Sequence, residues 1–219
     1  MLIDIVSDTI CPWCFIGKRK LEAAMQNRSD VQPEIGWRPF QLNPEMPRAG
    51  MSRDAYLSAK FGGADRAARI YETIRAAGAE LGIPFRFDLI KRTPSTLDSH
   101  RLIRWATQEG LQDRIVEALF IAYFTQGADI GDADVLTRIA VENGMDPKVT
   151  GDRLRNDTDL DLVRQEDAMA RSMGINGVPC FIIDRKYAVS GAQDVPVFHK
   201  VFDLALNETV PAPEMTDAD

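Results

Sequence analysis

The sequence predicts an α/β fold in which a large all-helical domain interrupts a small sheet domain. Three observations carry that prediction. Apolar, β-branched runs stand near both ends of the chain, at Leu2 to Val6 and at Val178 to Asp184. Between them, from about Ser52 to Met173, helical spacing and helix formers dominate. The 219 residues suffice for one large domain or for a domain carrying such an insertion.

In chain order, Leu2-Ile3-Asp4-Ile5-Val6 reads as a buried strand. Cys11-Pro12-Trp13-Cys14 follows and opens a helix whose apolar positions 15, 21, 24 and 25 share one face. Pro12 suits its first turn. A second strand is predicted over Glu34 to Phe40, and the two prolines of Asn43 to Pro47 require a loop. Helices are predicted over Ala64 to Leu81, Leu97 to Glu109, Asp113 to Phe124, Ala133 to Val141 and Leu160 to Met173. Ser95 or Thr96 caps the second of these and Asp132 the fourth. A strand over Val178 to Asp184, a tight Asp184-Arg185-Lys186 link and Tyr187 to Ala192 form a hairpin. Val195 to Leu206 is a final helix, and Val210 onward is an acidic tail that frays. The division is 1–50, an insert over 51–173, 174–210, and a tail over 211–219.

Hydrophobic residues make up 45% and charged residues 27%, an ordinary globular balance. The net charge of −7 argues against a nucleic-acid partner. The apolar stretch Ile115 to Phe124 contains Glu117 and is half of the roughly 20 residues a membrane span needs. The amino terminus shows no basic start or small-residue cleavage site, so a cytoplasmic location is expected.

Three cysteines are too few for a disulfide framework in a chain of this length. A structural metal needs three or four soft ligands, and beyond Cys11 and Cys14 only Cys180, His100 and His199 remain, at unsuitable spacings. No metal is expected. Two unrelated buried cysteines are the bland alternative. Against it, the motif follows a strand and opens a helix, where the helix's partial positive charge and free N–H groups favour a thiolate. That suits thiol–disulfide exchange, with Cys11 as the exposed nucleophile and Cys14 one turn inside as the resolving thiol. Gly177-Val178-Pro179 precedes the later strand, and a proline there marks a strand start or a fixed turn.

Together these pieces resemble the DsbA-like branch of the thioredoxin superfamily. Within it, the chain is similar to the FrnE-type group, which is related to 2-hydroxychromene-2-carboxylate isomerases and kappa-class glutathione transferases. The resemblance rests on Asp8-Thr9-Ile10-Cys11-Pro12-Trp13-Cys14-Phe15-Ile16-Gly17, Trp37-Arg38-Pro39-Phe40-Gln41-Leu42-Asn43-Pro44 and Thr96-Leu97-Asp98-Ser99-His100-Arg101-Leu102. Gly174-Ile175-Asn176-Gly177-Val178-Pro179 and Ser190-Gly191-Ala192-Gln193 complete it. It implies a thioredoxin fold with β-α-β and β-β-α halves, a cis Val178–Pro179 bond facing Cys11, and protein disulfide oxidoreductase activity. Two departures stand out: Ser95 replaces the group's usual Asn, and Cys180 follows the proline where an apolar or aromatic residue is common.

Trp13 reads as a substrate platform rather than core packing, because side chains inside a CxxC are poorly placed for a core. Only the resemblance turns His100 toward the site, and His199 reads as structural. Trp105, Phe120, Tyr123 and Phe124 read as core of the insert. Cys180 reads as a buried, unpaired thiol pointing into the core near Cys14. The resulting expectation is a disulfide oxidoreductase with no cofactor, acting on a protein or small thiol or disulfide, with Val178 presenting backbone groups to an extended peptide. Two alternatives stand beside it. One is a glutathione-dependent isomerase or transferase acting on a small aromatic or electrophilic substrate, with glutathione as co-substrate. Those relatives carry Ser at the first cysteine position, which weighs against it. The other is a binding module that does not turn over.

Overall fold

The apolar run at the amino terminus forms β1 (Leu2–Ser7) in the computed structural model of the chain, which describes residues 1–26 and 28–209. Its partner β2 (Glu34–Pro39) runs parallel, with Ile5 opposite Trp37. A parallel pair needs a crossover, and α1 (Pro12–Met25) supplies it. On the other side, β5 (Cys180–Ile183) runs antiparallel to β1 with Cys180 opposite Val6, and β6 (Tyr187–Ser190) closes the sheet in the order β2-β1-β5-β6. The β5–β6 link is the tight one expected. Asp184 and Arg185 take φ of 48° and 58°, the left-handed pair of a primed hairpin turn, and Lys186 N–H bonds back to Ile183 O at 3.0 Å. The carboxyl-terminal helix α9 (Val195–Thr209) returns against α1. The sheet, α1 and α9 form the β-α-β and β-β-α halves expected of a thioredoxin fold.

Between β2 and β5 lie β3 (Met51–Ser52), α2 (Arg53–Phe61), α3 (Ala64–Ala79) and β4 (Arg92–Thr93). Then come α4 (Leu97–Thr107), α5 (Gln112–Gln126), α6 (Ala133–Glu142), α7 (Pro147–Arg155) and α8 (Leu160–Ser172). The five expected helices are present, each within a few residues of its predicted ends. Two more, α2 and α7, were not predicted. Asp132 caps α6 as expected, accepting from Asp134 and Val135 N–H, whereas Thr96 stands at the cap of α4 without a side-chain bond. The strand predicted to begin at Val178 starts at Cys180, because the preceding residue is proline and donates nothing to the ladder. The predicted acidic tail lies outside the described residues.

The aromatic residues assigned to the insert do not form a separate core. Phe15 of α1 stacks on Phe120 of α5 with centroids 5.1 Å apart and meets Phe85 edge-on at 6.0 Å. Beside the stack, Lys18 is buried yet ion-paired, 3.2 Å from both Asp113 and Glu117 and in contact with Glu22. Burial alone lowers the ammonium's pKa; the Glu22 bond and the surrounding carboxylates outweigh it and hold it above its ordinary value. His199 closes the far side of α1 by bonding Ala24 O at 3.0 Å.

Cys180 is buried and unpaired, but it does not lie beside Cys14. Its side chain packs with Val6, Phe40 and Ala170, whereas Phe181 shares the core of Cys14 and Phe15. Alternation along β5 separates the two thiols onto opposite faces of the sheet. No helix among the described residues is long and apolar enough to cross a membrane.

Because α1 and α5 share one aromatic stack, Phe15→Ala is expected to destabilise the whole chain by about 3–5 kcal/mol. Chemical denaturation followed by circular dichroism measures it. A loss under about 1 kcal/mol would mean that the insert does not rest on α1.

Candidate active site

β1 ends at Ser7, and the next seven residues bring both cysteines to the carboxyl end of β1, beside the start of β5. Asp8 initiates the turn: its carbonyl accepts the Cys11 N–H at 3.0 Å, and Cys11 O accepts from Cys14 N–H at 3.0 Å. Cys11 is the residue that caps α1, with φ −92° and ψ 112°, and Pro12 opens the first turn, where its missing N–H costs nothing. The Cys11 sulfur therefore sits at the amino end of the helix.

The Val178–Pro179 peptide is cis, and Cys11 Sγ–H donates to Val178 O at 3.7 Å. Pro179 also fixes α1 from the side. A Cβ built on Gly17 would lie 2.9 Å from Pro179 Cγ, closer than real Cβ atoms come, and a tight 3.0 Å from Phe181 Cζ. Only glycine lets this turn of the helix approach the proline loop.

Cys11 was expected to be exposed. It is 4% exposed and Cys14 is 1% exposed, so the order of accessibility holds but both thiols are buried. Helices of the insert cover the site. Cys11 opens into a cavity of about 280 Å³ lined mainly by apolar and aromatic groups, among them Trp13, Tyr56, Tyr71, Phe87 and Val178. Trp13 is 37% exposed and forms its rim rather than part of a core. Arg53 stands in the wall between the rings of Tyr56 and Tyr71, 5.3 and 5.2 Å from their centroids, and donates to Thr93 Oγ1 at 3.0 Å. Burial pushes the Tyr71 phenol up to about 12, so it stays protonated.

Cys14 faces inward. Burial pushes its thiol well above the ordinary value, and the neighbouring Cys11 sulfur pushes it further. Hydrogen bonds from the Ser7 hydroxyl and the Asp8 backbone N–H offset part of the rise. Burial raises Cys180 as well.

His100 does not line the Cys11 cavity. It is buried behind the redox turn, where its Nε2 and Asp8 Oδ1 stand 3.4 Å apart and neither atom has a hydrogen-bonding partner. The other carboxylate oxygen of Asp8 accepts the Leu42 N–H at 2.8 Å and pins the Gln41–Asn43 loop. Ser7 and Tyr56 carried no signal in the sequence. Asp8 lay inside the quoted motif, but nothing in its spacing foretold a fully buried carboxylate. No group of three or more His, Cys, Asp or Glu side chains among the described residues is arranged to hold a metal.

The sequence profile described as DSBA-like thioredoxin domain matches residues 2–203. The protein YwbO of Bacillus subtilis (strain 168) is 29% identical over 200 residues, which cover 90% of this chain and 94% of that one. The crystal structure of a probable DsbA oxidoreductase from Streptomyces coelicolor superposes with a TM-score of 0.87 at 30% identity, covering 99% of this chain and 94% of that one. The cytosolic disulfide reductase DsbM from Pseudomonas aeruginosa, solved with GSH, shares the fold at 16% identity, with a TM-score of 0.64 over 94% of this chain and all of that one (100%).

Two outcomes follow from the burial of the thiols. Iodoacetamide is expected to modify Cys11 first at neutral pH, and Cys14 and Cys180 only as the pH climbs past the ordinary thiol range. Peptide mass spectrometry reads the order, and earlier labelling of Cys14 contradicts the geometry. Because folding raises the Cys14 pKa, that stabilisation is complete below the unfolded value of about 8.5 and is lost as pH rises beyond it, at up to about 1.4 kcal/mol per unit. Cys14→Ser should flatten the alkaline limb of a stability-against-pH curve. An unchanged limb would place the titration elsewhere.

Proposed function

The chain belongs to the DSBA-like thioredoxin domain family, and from that premise we propose that it is a thiol–disulfide oxidoreductase working through Cys11 and Cys14. The observation that carries this reading is the placement of Cys11. Its sulfur sits at the amino end of α1, over the Val178 carbonyl and at the wall of an apolar cavity, with a second thiol one turn behind it. In the reductive direction Cys11 attacks a substrate disulfide, a mixed disulfide forms, and Cys14 displaces the substrate sulfur to leave a Cys11–Cys14 disulfide. The oxidative direction runs the same steps backward.

Pro12 and Trp13 shape the approach to the nucleophile. Val178 and Pro179 form the opposite lip, where the backbone before the proline pairs with an extended protein segment or a small disulfide. The aromatic cavity then receives an apolar group next to the reacting sulfur, which burial favours by about 25 cal/mol per Å². A cytoplasmic setting, with no resident cofactor, belongs to the same reading. DsbM, a cytosolic reductase of the same fold, supports it by fold alone.

Cys11→Ser is expected to abolish insulin reduction with dithiothreitol. Cys14→Ser should accumulate substrate proteins or small thiols on Cys11, resolved by non-reducing gels and mass spectrometry of cell extracts. Cys180→Val, on the opposite face of the sheet, should leave turnover nearly intact and cost less than about 1.5 kcal/mol. Full insulin reduction by Cys11→Ser would overturn the assignment. A loss in Cys180→Val as large as in Cys11→Ser would make the third thiol part of the chemistry.

A further inference from the structure

Resolution of a mixed disulfide requires Cys14 to lose its proton, yet Cys14 is the more deeply buried of the redox pair. Besides Cys11 itself, the polar groups that hydrogen-bond its sulfur are the Ser7 hydroxyl and the Asp8 backbone N–H, neither of which is a base. Ser7, however, has a second side. It lines a separate cavity of about 290 Å³ between β2, α4 and α5, which shares no lining residue with the aromatic cavity. Thr9, Gln108 and Gln112 line it too, and so does His100. The lining is polar and the volume exceeds that of several water molecules, so such a space fills with solvent.

His100 is the feature of this cavity that hydrogen bonding within the chain leaves unexplained. Its ring is buried, and Nε2 faces Asp8 Oδ1 at 3.4 Å with no hydrogen-bonding partner. A buried polar atom without a partner costs about 1–3 kcal/mol, so a functional demand is the natural reason for keeping it. The other ionisable groups of the lining are engaged. Arg104 is paired with Glu166, Asp159 accepts from Trp105 Nε1 at 2.8 Å, and Arg38 is paired with Asp4 at 2.8 Å.

We propose that this second cavity is the proton exit of the resolving thiol, with His100 as the base that takes the Cys14 proton through the Ser7 hydroxyl and Asp8 as the residue that positions the imidazole. The proposal deepens the redox reading and rests on it. In the step itself, the Cys14 S–H proton passes to Ser7 Oγ while the Ser7 proton passes through solvent to the imidazole nitrogen of His100 that does not face Asp8. The Cys14 sulfur bonds to the Cys11 sulfur, and the bond between Cys11 and the substrate sulfur breaks. The substrate leaves as a thiolate and takes a proton from bulk water, while His100 returns its proton through the cavity. The chain's dithiol is oxidised and the substrate disulfide is reduced, so electrons and protons balance.

Stopped-flow mixing of the reduced full-length chain with dithiobis(nitrobenzoate) separates the steps. A first coloured thiolate appears as Cys11 is derivatised, and a second as Cys14 resolves the adduct. In His100→Gln the second release should slow by about 10²-fold near neutral pH, with the first unchanged. It should then climb about tenfold per pH unit as hydroxide replaces the lost base. Imidazole added to His100→Ala should restore the second release, because the cavity admits it. Ser7→Ala, which does not touch the histidine, should slow the same step, and Ser7→Thr should recover it. A second release with wild-type rate and pH slope in both His100→Gln and Ser7→Ala overturns the proposal. If the wild-type chain gives no first release, the redox reading beneath it falls instead.

Discussion

The structure depends on the way α1 is held on every side. Its first turn carries the thiols, so whatever fixes that turn fixes the chemistry. Pro179 and Phe181 press on it at Gly17, where even a methyl group does not fit. Phe15 joins it to the aromatic stack of α5, and the buried Lys18 locks the same two helices through Asp113 and Glu117. His199 holds its last turn to α9. A thiol that must meet an incoming sulfur in line gains from such rigidity, because its orientation is set before the substrate arrives. The clamp also explains why the helical segment is not an appendage: removing it would strip α1 of half its support and open Cys11 to water.

Burial of the sulfurs is the second consequence, and it divides their roles. Both cysteines begin α1, but Cys11 stands at its open end and Cys14 lies one turn in, against Ser7 and the core. Desolvation acts on Cys14 in full and keeps it protonated until it is needed. Such a thiol does not compete for incoming disulfides, and it requires help to deprotonate. The redox turn accordingly separates two unlike spaces. The cavity at Cys11 is apolar and aromatic, suited to the flank of a substrate disulfide. The cavity at Ser7 is polar and is lined by a histidine whose buried Nε2 has no hydrogen-bonding partner.

Much of this was legible in the sequence, for physical reasons that also mark where legibility ended. The β-branched ends, the strand–CxxC–helix order and the proline before β5 are local signals, and they gave the sheet, the insert and the two redox positions. The helix α2 was missed because it has no buried residue, so it carries no apolar stripe to read. α7 was missed because only Thr150, Gly151 and Leu154 are buried in a strongly polar segment. Cys180 was correctly taken as buried, but the face was misjudged. A central strand covered on both sides by helices reads as a continuous apolar run, and alternation alone does not say which side is which. The burial of Cys11 and the confrontation of Asp8 with His100 join residues far apart in the chain, and no periodicity reports contacts of that range.

That last contact shows how the insert enters the chemistry rather than merely covering it. The sheet domain alone provides a strand, a turn, a helix and a proline, which are enough to place two sulfurs. It does not provide a base for the inner one, since the nearest groups from β1 are a hydroxyl and an amide N–H. The base arrives on α4, carried in by the insert and aimed by a carboxylate that belongs to the redox turn itself. Thr9 and Ser99 tie the two segments together with a hydroxyl–hydroxyl bond of 2.8 Å, one residue from each member of the Asp8–His100 pair. The helical segment thus contributes a wall to one cavity and a titratable group to the other. A change in either alters one half-reaction while leaving the sulfurs where the sheet put them.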